Sequence, residues 1–260
     1  MAKTRSLAGE KMKPSEAKAL VEEIYQKMFQ RVEEKVTRGL FMQHLVNGTL
    51  PMEGLKIFWL NWHGFVSEIN NLIACTYQRH GWFFKRHMDL LPSFADKVAD
   101  ELIHPKPPGH IQVVLEQGRI FGLTDEEMIE YLMLPECRAL LEWHRGLLYE
   151  GTMAEWWTAI AWEEAVGHWA KAFREALMGR YGFTTKQAPY FHTHEEADLE
   201  VHEGGVLAHG AFNRAVLQRI LEAGHGETRT AMTLEYCAVT SVDYFAMFLD
   251  GAYKAAQPAS

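Results

Sequence analysis

Apolar residues recur at steps of three and four along almost the whole chain, the mark of amphipathic helices, and no run alternates apolar with polar positions as a strand would. Ser15 follows Pro14 and opens AKALVEEIYQKMFQRVEEK, in which Leu20, Val21, Ile24 and Met28 share one face. NGTLP at 47–51 is a break, and MEGLKIFWLNWHGFVSEINNLIACTYQRH predicts a long aromatic-rich helix after it. A third helix is expected from Trp82 to His104, kinked at Pro92. PKPPG at 105–109 ends it and starts another that reaches Phe121, and TDEE at 124–127 is a capping-box pattern. Further helices are expected over 136–149, 152–180, 189–203, 206–223 and 228–254. The breaks are short and nothing repeats, so residues 1–260 read as a single all-α domain, a compact helical bundle with residues 1–13 flexible.

Composition narrows the function classes. With 48% hydrophobic and 23% charged residues the 260-residue chain is globular and can bury a sizeable core. Its net charge of −8, with acids spread throughout, argues against a nucleic-acid surface, which needs clustered Lys and Arg. No stretch is apolar for the ~18 residues of a membrane span, and the N-terminus lacks the apolar core of a signal peptide. Cys75, Cys137 and Cys237 lie far apart without a CxxC pair, which suits a reducing compartment, so a cytoplasmic protein with a small-molecule partner is expected.

The chemistry concentrates in HTHEEADLEVH, residues 192–202. At about 100° per residue, His194, Asp198 and His202 fall within about 80° of one another, beside Tyr190 and Phe191, while His192, Glu196, Glu200 and Glu203 take the opposite side. Burying a carboxylate between two imidazoles is costly unless a cation or a closed hydrogen-bond network compensates it, and a divalent metal does so directly. In EWWTAIAWEEAVGHWAKAFRE, Glu163 shares its face with Trp156, Ala159, Ile160, Gly167 and Ala170, whereas Glu164 lies on the polar edge with His168 one turn on. Glu101 sits in a stripe with Phe94, Val98 and Leu102, while Asp96 and Asp100 are expected to face elsewhere. Two imidazoles compete to join it: His104, in a Glu-x-x-His spacing that lets one helix supply two ligands, and His110, just past the Pro-rich turn. Three carboxylates with three imidazoles suit iron or manganese better than zinc, and six ligands suit two ions better than one.

With these residues in place, the chain resembles the heme-oxygenase-like superfamily related to TenA and PqqC, and within it the branch of non-heme di-iron oxidases and oxygenases. That branch is similar in length and architecture, and its ligand pattern is a Glu, a later His, a second Glu, then His-x-x-x-Asp-x-x-His. The resemblance maps it onto Glu101, His110 or His104, Glu163, His194, Asp198 and His202. PPGHIQVVLEQGRIFGL is similar to the family stretch in which the histidine precedes a helix ending in Gly-Leu, which favours His110 over His104. One departure is the three residues between Asp198 and His202 where the family has two; Glu195 or His209 could supply that ligand instead.

The resemblance implies a heme-oxygenase-like, TenA-like helical bundle holding two iron ions, with manganese as the alternative. One ion is expected on Glu101, His110 and His194 and the second on Glu163, Asp198 and His202. It implies O2-dependent oxidation of a small organic substrate, a fatty acid or an amino acid or amine, through a peroxo species on iron. It also implies an electron donor, and it allows a homodimer. Trp59, Trp62, Phe65, Trp156, Trp157 and Phe191 are candidates to line an apolar pocket. The rivals are a metal-free relative acting on a cofactor-type molecule and a non-enzymatic helical protein that binds a metal or a partner. A thiaminase reading needs a cysteine near the second Glu, and none lies between 138 and 236.

Overall fold

Met52–Phe84, the longest helix (α3), runs through the middle of the molecule because both of its sides find apolar partners. Phe58, Trp59, Trp62 and Phe65 are all buried along it, and the Trp59 indole donates to the Val114 carbonyl (2.9 Å), tying it to the helix His110–Ile120 (α5). The computed structural model describes residues 9–104, 106–199, 207–229 and 231–257, with the side chains of 196–199 excepted. Numbered in chain order, the other α-helices are α1 (Pro14–Val32), α2 (Leu40–Val46), α4 (Leu91–Leu102), α6 (Asp125–Glu130), α7 (Pro135–Glu150), α8 (Met153–Ala159), α9 (Glu163–Arg180), α10 (Pro189–Leu199), α11 (His209–Ala223) and α12 (Leu234–Ala255). No strand occurs among the described residues, and no described helix is long and apolar enough to cross a membrane.

Helix α12 lies against α1, α3, α7 and α8, while α10 packs along α9. Between them sits an aromatic core in which Phe173 and Phe191 stack at 4.3 Å, and in which Trp59, Trp156, Trp157 and Phe191 are fully enclosed. Large, rigid rings of this kind supply much of the burial that stabilises a helical domain. The expected capping box is present: the Thr124 hydroxyl accepts from the Glu127 N–H (3.2 Å) and the Glu127 carboxylate from the Thr124 N–H (2.7 Å). Residues 9–13, expected to be flexible, carry backbone bonds, Gly9 N–H to the Gly224 carbonyl and Met12 N–H to that of Leu221, each 3.2 Å.

The boundaries differ from expectation where tertiary contacts compete with periodicity. Pro92 does not kink a continuous helix: α3 extends to Phe84, the chain turns, and Pro92 lies in the first turn of α4, where its missing N–H costs nothing. Helix α12 starts at Leu234 and not near 228, because Thr233 caps it, accepting from the Tyr236 N–H at 2.9 Å. The segment expected as one helix over 152–180 is broken by a 3-10 turn at Ile160–Trp162. Two groups hold that break: the Asn213 amide donates to the Ile160 carbonyl (3.4 Å), and the Trp162 indole donates to His144 Nε2 (2.9 Å).

His144 is therefore a neutral imidazole, accepting at Nε2 and donating from Nδ1 to the Leu140 carbonyl (2.8 Å). Burial pulls its pKa down to about 4, the backbone carbonyls of Leu140 and Ala159 opposing only in part. As pH falls below the ordinary histidine value the unfolded chain takes up a proton that the folded one refuses until about 4, so stability is lost across that window and is flat above it. Urea denaturation at pH 7 and 4.5 is expected to show a loss of about 2–3 kcal/mol from this residue. His80, likewise pulled to about 4 by burial, adds a loss of the same sign. In His144→Leu the slope with pH should fall; an unchanged slope would refute the assignment.

Candidate metal centre

The break at Ile160–Trp162 has a direct consequence: Glu163 becomes the first residue of α9. His110 is likewise the first residue of α5 and His209 of α11, while Glu101 lies in the last turn of α4. Gly109, at φ +69°, precedes His110, and a Cβ there would collide with the backbone of Glu101 and Leu102. Only glycine lets the chain pass so close to the end of α4. That approach sets His110 Nδ1 3.1 Å from Glu101 Oε2, and the Asn70 amide holds the Glu101 carbonyl (3.2 Å).

One donor atom from each of Glu101, Glu163 and His209 lies within 4.8 Å of the others, so the three converge on one point. His209 is oriented from behind: its Nε2 lies 3.1 Å from Asp100 Oδ2, and its Nδ1 faces Glu163 Oε1 at 3.4 Å. A carboxylate behind an imidazole in this way fixes its tautomer and raises its basicity. The other oxygen of Glu163 is occupied twice, by the Lys97 ammonium and by the Asn213 amide (2.8 Å). Lys97 is only 1% exposed. The rings of His110 and His194 pack at 4.6 Å, and Tyr190 lies 4.3 Å from His194.

Charge follows the geometry. Burial pushes the Glu101 carboxyl up, yet His110, with His209 and His194 beyond it, outweighs burial and leaves the pKa below the usual carboxylate value. For His110 burial opposes the charged form, and Glu101 overrides it to raise the pKa. Burial also acts against ionised Glu163, but Lys97 and His209 together hold its pKa well below the ordinary range. Glu101 and Glu163 are therefore favoured as carboxylates by the groups around them.

The structure brings together Glu101, His110, Glu163 and His194 of the expected residues. It draws Glu101 and Glu163, expected on separate ions, into one group with His209. His104 does not join them: α4 ends at Leu102, so the one-turn spacing no longer applies, and its side chain is 59% exposed, 3.8 Å from Asp100. Asp198 lies in α10, but its side chain, like the whole of His202, falls outside the described residues. Glu195 points to Arg174 (2.6 Å) and Lys171, away from the centre. Asp100, expected to face elsewhere, is buried against His209. Glu164 pairs with Arg214 (2.7 Å) and not with His168, which is exposed and set edge-on to Phe29.

A cavity of about 60 Å³ opens beside Glu101, Glu163 and His194, walled by Trp62, Phe65, Ile69, Ile73, Val166 and Tyr190. Trp62 and Phe65 were expected there; Trp59, Trp156, Trp157 and Phe191 belong to the core instead. Its volume is below the roughly 150 Å³ that accepts a benzene ring, so without repacking it admits only the end of a substrate.

No protein-family model matches the chain, and no curated protein does. Solved structures do. A TenA homologue from Pseudomonas syringae pv. tomato str. DC3000 is similar with TM-score 0.69 at 15% identity, over 98% of this chain and 99% of that one. A domain of unknown function with a heme oxygenase-like fold from Shewanella denitrificans OS217 gives 0.66 at 14%, over 92% and 98%. A TenA homologue from P. horikoshii OT3 gives 0.63 at 14%, over 90% and 98%. The chain therefore has the all-α fold of the TenA and heme-oxygenase-like proteins.

Proposed function

We propose that this protein is a non-heme iron enzyme that oxidises a small organic substrate with O2, manganese being the alternative metal. The observation that carries the reading is a charge imbalance in a largely buried cluster. Asp100 and Glu101 are buried, Glu101 and Glu163 converge with His209 within 4.8 Å, and the Lys97 ammonium contacts Glu163. With neutral imidazoles a net negative charge remains at Glu101 and Glu163, and burying it uncompensated would cost several kcal/mol. One divalent cation removes it.

The donor set fits such an ion: carboxylate oxygens of Glu101 and Glu163 and Nδ1 of His209 would hold it, with His110 and His194 adjacent. Oxygen and imidazole donors favour iron or manganese. When bound, iron supplies the capacity to activate O2. The remaining work belongs to the chain. Asp100 keeps the His209 tautomer that leaves Nδ1 toward Glu163, and Lys97 with Asn213 fixes Glu163 in one rotamer. Trp62, Phe65, Ile69 and Ile73 exclude water and select an apolar end group, as on a fatty acid or a hydrophobic amine or amino acid.

The test is anaerobic loading with Fe(II) followed by elemental analysis, then O2-electrode assays against a panel of carboxylic acids, amines and amino acids. Iron retained after gel filtration, with O2 uptake triggered by one substrate class, is expected. Absence of bound metal under these conditions would leave the metal-free, organic-substrate reading.

A further inference from the structure

We propose that Lys97 takes the place of a second cation and limits this centre to a single divalent ion. The inference rests on the metal reading above, and it departs from the pair of ions that the ligand count in the sequence implies. For Glu163 to be shared by two ions side by side, both of its oxygens would have to be free. Only one of its oxygens is available: Oε1 faces His209, while Oε2 is held by the Lys97 ammonium and the Asn213 amide. Two donors on one oxygen oppose a bridging role for this carboxylate.

The ammonium is also in the wrong place to be incidental. Lysine stems ordinarily lead their charge to water, yet Lys97 is enclosed and its Nζ ends on Glu163. It shares the α4 stripe with Phe94 and Glu101, three and seven residues from Phe94, so the same helix face delivers both the cation and a ligand. A fixed positive charge at that point repels a second ion electrostatically and removes an oxygen it would use. Lys97 is thus a positioning residue that sets stoichiometry.

The experiment loads the full chain with Mn2+ alone, under argon, and reads bound metal per chain by elemental analysis and the EPR spectrum. Wild type is expected to retain one Mn2+ with the six-line signal of an isolated ion. Lys97→Met, which keeps length and removes charge, is expected to retain two, with a spin-coupled spectrum, whereas Lys97→Arg stays at one. Two ions in wild type, or one in Lys97→Met, would overturn the role of Lys97 while leaving the metal reading intact; no ion in any variant would end both. Should Lys97→Met fail to fold without metal, refolding in Mn2+ is expected to rescue it, because the ion takes over the lost charge. Failure of that rescue also overturns the proposal.

Discussion

Glu163→Ala is expected to abolish metal-dependent O2 consumption, a loss of at least about 100-fold, since positioning groups around a metal alone are worth 10–100-fold. It should also destabilise the fold by about 3–5 kcal/mol, because Lys97 would stay buried without its carboxylate. The two effects separate in the double variant Glu163→Ala/Lys97→Met, which should recover most of the stability, read by urea denaturation, and none of the O2 uptake. The neighbouring Glu164→Ala is the control: that side chain pairs with Arg214 and is not among the converging donors, so O2 uptake should stay near wild type. Equal loss of activity in Glu163→Ala and Glu164→Ala would show that both act through general destabilisation and that Glu163 has no special place.

The second large effect lies outside the centre. Glu155 is 0% exposed, and its carboxylate accepts from the Thr152 N–H (2.9 Å), the Arg229 N–H (2.6 Å) and the Arg229 guanidinium (2.9 Å). It closes the first turn of α8 and pins the connection before α12 with the same group. Glu155→Ala orphans two backbone donors, while Arg229 can still reach water. The expected cost is about 3 kcal/mol, from charge-assisted bonds worth about 1.5–3 kcal/mol each less what water restores. That corresponds to a fall in Tm of roughly 6–12 °C. Metal binding by the folded fraction should be unchanged, and a variant that melts with wild type would refute this account.

What the sequence reveals of the centre depends on how each residue stands against its helix face. Glu101 and Glu163 are legible because a carboxylate among apolar neighbours is conspicuous at helical spacing. His110 is legible through the Pro-Gly turn before it. Lys97 carries the same positional signal as Glu101, yet lysine so commonly reaches solvent that its place in the stripe reads as surface. Asp100 is misread because its partner His209, which draws it inward, lies more than a hundred residues on in the sequence. His104 fails for a local reason: the last two residues of the expected helix, Ile103 and His104, are not helical. The break before Glu163 has no Gly or Pro to announce it; Asn213 and His144, distant in sequence, impose it. The all-helical architecture itself depends on periodicity summed over many turns, and such errors leave it intact.

Because His110 and Glu163 each stand at the very start of a helix, each is preceded by a short connector, ending in Gly109 and in the Ile160–Trp162 turn, and followed by a packed rod. Length changes in those connectors can translate a donor by an ångström or so while the rods keep their neighbours. Descendants of such a protein could therefore retune donor spacing, and with it which molecules react, by editing a few joints and leaving the interior alone.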